Sequence, residues 1–336
     1  MMLTYGQSIN QALNAILSKD KRVVLLGEDI CDPYGGAFKI TKGLSTKYPA
    51  QVINTPMSEY ALTGIAAGMA IRGRRPVLEI MFGDFLTICA DQLINHAAKF
   101  GWMYNSQVTV PMVLRTPMGG RRGYGPTHSQ TLEKLFLGIP GLKVIAPSHF
   151  HDPGEQLIKA IDDNNVVLFI EHKLLYSRKV GELKDGYVFD FACKKSQDTF
   201  ETITLSNNDF KEARATVLTY GGMLPYVIEA VNELLEEDEV FLEIVVPSYI
   251  NNASIVEVLA SLKKTGRLVI VEEGTLFNGW GAEMAARVVS EGFELLEAPI
   301  TRVAAKDLPI GSTRVLEDAV LPQIIDIKVG IKEVLQ

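Results

Sequence analysis

Three cysteines, Cys31, Cys89 and Cys193, are too few and too scattered in 336 residues for a disulfide framework or a zinc cluster. Their odd number and wide spacing point to a reducing compartment. Positive charge is also scarce. The 33 Lys and Arg stand against 40 Asp and Glu, a net charge of −7, which argues against a nucleic-acid partner because phosphate binding needs a basic face. The longest weakly apolar run, 61–71, falls well short of the roughly 18 residues that span a bilayer. The opening MMLTYGQSIN has no basic flank before an apolar stretch, so no targeting segment is expected. A cytoplasmic protein without membrane contact is the expectation. No Walker loop, HExxH or GxSxG occurs, and nothing in the chain is built to hold a diphosphate with its magnesium.

What the chain has in plenty is alternation. Residues 4–18 put Ile9, Leu13, Ile16 and Leu17 on one helical face, and RVVLLGED (22–29) reads as a buried strand ending in a turn. SEYALTGIAAGMAI (58–71) reads as a small-residue helix with Ser58 as N-cap and Glu59 in its first turn. Strands at 75–82, 110–117, 142–148 and 166–172 are interleaved with helices at 84–100 and 154–163. Residues 181–212 turn polar and read as a linker with a hairpin. The alternation then resumes with ARATVLTYGG as strand, MLPYVIEAVNELLEE as helix and VFLEIVVP as strand. The pattern predicts two α/β domains, 1–180 and 213–336, each a mostly parallel sheet covered by helices on both faces.

Four stretches invite a chemical reading. GYGPTHSQ (123–130) sets His128, one of only five histidines, among two glycines and a proline. Such a stretch is neither helix nor central strand, so His128 is either an incidental loop residue or a reactive group on a rigid scaffold. Glu59 is either a carboxylate serving the helix dipole or one held in a dry setting to exchange a proton with a ligand. NGWGAEMAAR (278–287) has only two glycines in place for a dinucleotide fingerprint, with Met284 where a third small residue is wanted, and reads as helix packing. HFHD (149–152) lacks a further ligand at metal spacing; Asp152 before Pro153 reads as a helix cap.

Taken in order, LLGEDI, GGAFKITKGL, NTPMSEYALTGIAAGMAIRG, RPVLEIMFGDF, DQLINHAAK, GPTHSQTLEKLFLGIPGLKVIAPS, VLFIEHKLLY, TYGGM, KKTGRLVIVEEG, GAEMAARV and RVLEDAVLP resemble a family nearly end to end. It is the beta subunit of the thiamine-diphosphate-dependent decarboxylating component of 2-oxo acid dehydrogenases, within the transketolase-like superfamily. The resemblance implies a transketolase pyrimidine-type domain followed by a transketolase C-terminal-type domain. It implies that Glu59 promotes the imino form of the cofactor's aminopyrimidine, that the pyrimidine stacks on Phe85, and that Glu28, Met57 and Ser58 line the same ring. His128 matches the histidine that handles the substrate carboxylate and passes the acyl group to lipoamide. Carbonyls of Met112, Ala160, Ile161, Asp163 and Asn165 match a structural potassium site. The family holds the diphosphate and Mg2+ on a glycine–aspartate–glycine motif of an alpha subunit, and this chain has none. An α2β2 heterotetramer with a beta–beta contact follows.

Two segments depart from the family. EIVVPSYINNAS (243–254) lacks the usual arginine, and KDLPIGSTRVLED (306–318) lacks the usual proline–aromatic pair, which bears on docking to a lipoyl acyltransferase. Met81 stands where many branched-chain members carry Gln and favours a small substrate such as pyruvate or acetoin. The competing enzyme reading is the C-terminal half of a split transketolase-like enzyme that transfers a ketol group. A third reading, a scaffold subunit without chemistry, sits badly with Glu59, Phe85 and His128 all being present.

Overall fold

Thr4 and Gln7 cap the first helix reciprocally: Thr4 Oγ1 accepts from the Gln7 amide at 3.2 Å and Gln7 Oε1 from the Thr4 amide at 2.9 Å. Helix α1 (Tyr5–Lys19) then buries Ile9, Leu13, Ile16 and Leu17, the face its spacing predicts. In the computed structural model, residues 2–183, 187–188, 191–207 and 212–336 are described, and they form two units. Met1–Met118 with Leu135–Val180 make the first; Gly119–Lys134 with Gly181–Gln336 make the second.

The first unit is a six-stranded sheet, entirely parallel. Its strands are β1 (Val23–Gly27), β2 (Val52–Asn54), β3 (Arg75–Glu79), β4 (Val113–Met118), β5 (Leu142–Ile145) and β6 (Val166–His172), in the order β2-β1-β3-β4-β6-β5. β1, β4 and β6 are buried along their whole length, as strands covered on both faces must be. Helices α1, α2 (Leu44–Lys47), α3 (Glu59–Ile71), α4 (Leu86–Asp91), α5 (Phe100–Met103) and α6 (Pro153–Asp162) complete the unit. Asp152 caps α6, with its Oδ1 accepting from the Gly154 and Glu155 amides at 3.0 and 3.1 Å and Pro153 in the first turn. This is the cap read from HFHD. β1 ends at Gly27 and Glu28–Asp29 form the turn expected after it; a side chain at Gly27 would meet Ile30 Cγ2 at 2.9 Å and the Glu79 carbonyl at 3.0 Å.

The expected single helix over 84–100 is a broken one. A 3-10 turn at Gly83–Phe85 leads into α4, a π-helical stretch covers Gln92–Ala97, and α5 follows. The wide turn, with the Ala98 amide donating to the Leu93 carbonyl at 3.0 Å, keeps Leu93 and Ala97 buried while Gln92 lies against Gly64 of α3.

The second unit carries the other sheet, β12-β11-β9-β10-β8-β7. Strands β9 (Ala215–Thr219), β10 (Leu242–Pro247), β11 (Leu268–Thr275) and β12 (Thr301–Ala305) are parallel. β7 (Phe191–Lys195) and β8 (Thr202–Asn207) form a hairpin, and β8 pairs antiparallel with β10 through Ile244 and Leu205. The stretch expected as a linker with a hairpin over 181–212 does hold that hairpin, which is further built into the sheet, while 184–186, 189–190 and 208–211 lie outside the described residues. Helices α7 (Leu224–Asp238), α8 (Val256–Thr265), α9 (Trp280–Gly292), α10 (Arg314–Val320) and α11 (Ile324–Val334) complete the unit. Among the described residues no helix is long and apolar enough to cross a membrane.

Candidate active site

Parallel sheets place functional groups beyond the carboxyl ends of their strands. In the first unit that edge carries Glu28 just past β1, Glu59 opening α3 after β2, and Phe85 after β3. Glu28 and Glu59 are close enough to repel. Burial pushes the Glu28 carboxyl above its ordinary value, the charge of Glu59 adds to this, and the Ser58 amide offsets only part. Glu28 Oε1 is shielded from solvent and has no hydrogen-bond partner. A shielded acceptor beside a second carboxylate at a helix N-terminus suits a ligand that brings its own N–H donors.

Glu59 itself is half-buried, so the dry setting expected for it is not supplied by this chain alone. Ser58 holds the N-cap position as expected, but its hydroxyl makes no capping bond, and Met57 is 80% exposed. Beneath them Cys89 Sγ lies 3.8 Å from the Glu59 carbonyl and 3.6 Å from that of Phe85. Burial, with lesser help from the charges of Glu59 and Glu28, pushes the Cys89 thiol up to about 12, which leaves it a packing group rather than a nucleophile. The half-buried Phe85 ring meets Phe82 edge to face at 6.1 Å, and Phe82 meets Phe38 in the same way at 5.8 Å. The residues therefore fit a flat, donor-bearing heterocycle: two carboxylates for its edge and an aromatic for its face.

A buried charge group next to these residues was not singled out in the sequence. Arg115 on β4 holds Glu171 of β6 through two bonds of 2.8 Å, and its Nη1 donates to Glu79 of β3. The Tyr176 hydroxyl donates to Glu171 at 2.7 Å. The available signal was a charged residue interrupting each of three apolar strands.

Three of the expected potassium-ligand carbonyls accept hydrogen bonds within the chain. Arg75 Nη1 donates to the Ile161 and Asp163 carbonyls at 2.6 and 2.9 Å, and the Met112 carbonyl accepts from the Val167 amide at 2.9 Å. Asp163 and Asn165 bond to each other, and Ala160 is buried in α6. A guanidinium thus lies against two of these carbonyls, each of which keeps a second lone pair, and the potassium site stays an expectation of the resemblance.

His128 groups with the second unit. Its loop, 119–134, is bonded to β11 and α10. The Gly120 amide donates to Glu273 at 2.8 Å, and the Arg121 and Gly123 amides donate to the two oxygens of Glu317 at 3.0 Å each. Thr127 Oγ1 lies 2.9 Å from His128 Nδ1 and steadies the ring. The NGWG segment proves to be packing, as read. A Cβ on Gly279 or Gly281 would fall 2.6 or 2.7 Å from the Glu272 carboxylate, which accepts from the Gly281 amide at 3.1 Å.

Glu133 closes the loop on a fully buried carboxylate that accepts from the Tyr220 hydroxyl at 2.6 Å. Burial raises it to about 7, Tyr220 opposes the shift, and Glu272 and Glu273 add to it. A carboxyl whose pKa is raised by folding stabilises the protein while protonated and loses that contribution as pH rises. Stability should therefore fall between about pH 4.5 and 7, by up to about 3 kcal/mol at roughly 1.4 kcal/mol per unit. Glu133→Gln should flatten that slope; an unchanged melting-temperature profile over this range would contradict the assignment.

Residues 1–179 match the family model described as "Transketolase, pyrimidine binding domain", and 207–327 match "Transketolase, C-terminal domain". The chain is 34% identical to the pyruvate dehydrogenase E1 component subunit beta of Rickettsia bellii, covering 99% of each. It is also 34% identical to the acetoin:2,6-dichlorophenolindophenol oxidoreductase subunit beta of Bacillus subtilis, covering 96% of this chain and 94% of that one. A solved structure described as a split gene transketolase in an inactive beta4 tetramer superposes with a TM-score of 0.76 at 18% identity, over 99% of this chain and 98% of that one, a likeness of fold.

Proposed function

Because the chain belongs to the transketolase-like beta subunits of thiamine-diphosphate-dependent 2-oxo acid and acetoin dehydrogenases, we propose that it supplies the pyrimidine half of such a site and acts on a small substrate of the pyruvate or acetoin kind. The observation that carries this is the Glu28–Glu59 pair, two neighbouring carboxylates of which Glu28 keeps a shielded oxygen with no hydrogen-bond partner, ready for a ligand's donor. Full-length identity of 34% to dehydrogenase beta subunits, against 18% to the split transketolase, favours this over ketol transfer.

Glu28, Met57, Ser58, Glu59 and Phe85 would hold the aminopyrimidine of thiamine diphosphate, which when bound would supply a carbanion nucleophile for the substrate's carbonyl carbon. Glu59 presents its carboxylate at a helix N-terminus, where the dipole favours the anion, and exchanges a proton with a ring nitrogen. Beside it Glu28, raised above its ordinary value by burial and then by the charge of Glu59, holds a proton more readily than a free carboxylate. Phe85 and Met57 give the ring apolar surface. His128 acts on the substrate carboxylate and on delivery of the acyl group to lipoamide.

The diphosphate and its Mg2+ fall to an alpha subunit in an α2β2 assembly with a beta–beta contact. Support comes from the outer face of α3, where Ala61, Ile65 and Gly68 are exposed, Ile65 is 54% exposed, and Gly68 has open space beside it. Such a face wants cover. A lipoyl acyltransferase is the further partner of this reading, and the cytoplasm its place.

The isolated chain should show no saturable binding of thiamine diphosphate at micromolar concentration, whereas the co-produced alpha–beta pair binds it and turns over pyruvate or acetoin. Tight binding by the chain alone in titration calorimetry would sink the shared-site reading.

A further inference from the structure

The loop 119–131 is poorly suited to hold a side chain still by itself. Gly119, Gly123 and Gly125 all take positive φ, and so does Arg121 at 69°. Each glycine adds conformational freedom that must be lost before His128 has a fixed place. What removes that freedom comes from more than 100 residues away in the chain. Glu317 on α10 is 1% exposed and uses both carboxylate oxygens, one on the Arg121 amide and one on the Gly123 amide. Glu273 on β11 accepts from the Gly120 amide and from Thr131 Oγ1 at 3.2 Å, and so grips the loop on either side of His128. Arg121 Nη2 donates to the Pro322 carbonyl at 2.6 Å, and its guanidinium lies 4.2 Å above the Tyr226 ring. Within the loop the His128 amide donates to the Gly125 carbonyl at 3.3 Å.

We propose that Glu317, seconded by Glu273, is a positioning residue for His128: its carboxylate locks the glycine loop so that the imidazole is in place before substrate arrives. This rests on the reading of His128 as the group that handles substrate and acyl transfer. Bonds from amides to a buried carboxylate are charge-assisted and outlast neutral ones. The loop entropy they remove is then not charged against the reaction. The departing stretch before α10 also lies against this loop, since the Ser312 carbonyl would lie 3.2 Å from a Cβ on Gly123. The segment bears on the site and not only on docking.

The test is Glu317→Gln in the co-produced alpha–beta pair, which keeps size and one acceptor but turns the other oxygen into a donor facing an amide. Hydrogen exchange of the Arg121 and Gly123 amides should quicken at least tenfold, an order-of-magnitude expectation for losing a buried charge-assisted bond. Turnover of pyruvate or acetoin with lipoamide should fall about tenfold to a hundredfold with KM little changed, as for a misplaced catalytic group. Turnover with dichlorophenolindophenol should fall less. The double variant with His128→Ala should be no worse than His128→Ala alone, because the two act through one group.

Should Glu317→Gln not fold, Thr131→Val loosens the other grip and should show the same pattern more weakly. Normal exchange in the loop, or equal losses in every assay that add to those of His128→Ala, would overturn the positioning role. A defective His128→Ala beside an unimpaired Glu317→Gln would overturn it alone. Wild-type activity of His128→Ala would instead bring down the reading of His128, and the positioning role with it. A wild-type pair inactive on both substrates would overturn the dehydrogenase reading, leaving loop exchange to decide the grip of Glu317.

Discussion

Glu59→Gln lowers turnover of the alpha–beta pair by about 10²–10⁴-fold, the range that one positioned acid–base group contributes. Gln matches Glu in volume and keeps one acceptor, and residue 59 is half-buried at a helix start, so the fold has little to lose beyond a helix-dipole contribution of about 0.3–1 kcal/mol. What vanishes is the ability to take up and return a proton. A second, activity-free signature accompanies the loss. With the neighbouring charge removed, one of the causes that raise Glu28 disappears, and its titration moves back toward the ordinary carboxylate range. Hydrogen–deuterium exchange at the reactive ring carbon of bound thiamine diphosphate measures the first effect, and infrared or NMR titration of Glu28 the second. Exchange at the wild-type rate would show that Glu59 is not the group that matters.

The place of Glu59 at a helix start could be read from the sequence because its evidence is local, an acidic residue one position past a candidate cap opening an apolar small-residue helix, whereas its role came with the resemblance. Asp152 before Pro153 was legible for the same reason, and so were the strands of β1, β4, β6 and β11, which are short apolar runs with turns at their ends. Where the fold depends on partners distant in the chain, the sequence was mute. The hairpin expected within the polar stretch 181–212 is there as β7 and β8, but nothing in its sequence told that β8 would join the sheet along β10. His128 follows β4 closely in the chain, yet its loop is held by Glu273 and Glu317, more than 140 residues later. The potassium expectation came with the resemblance, and Arg75, which donates to the Ile161 and Asp163 carbonyls, sits on β3 well upstream of them. The group around Arg115 went unseen because its meeting requires β4 to lie between β3 and β6, and no periodicity within a strand reports its neighbours.

That last group carries the largest expected effect on stability: Arg115→Met destabilises the protein by about 3–5 kcal/mol, the cost of leaving buried charges without their partner. Arg115 is 2% exposed and sits between Glu79 and Glu171, the latter fully buried and held by two bonds of 2.8 Å. Met fills much of the volume, so the loss is electrostatic rather than a cavity. Burial already holds the Glu79 carboxyl above its ordinary value, and Arg115 is the group that opposes this; without it the pKa climbs further. A carboxyl raised by folding stabilises while protonated and gives that up as pH rises, so the deficit of Arg115→Met should be greatest near pH 8 and shrink markedly near pH 5. Converting Glu79 and Glu171 to Gln in the same variant should restore a large part of the loss at the higher pH, because neutral amides need no counter-charge. Urea denaturation of the single and triple variants at the two pH values checks this. A deficit that is the same at both, or that the added amides do not reduce, would mean that Arg115 matters for its packing and not for its charge.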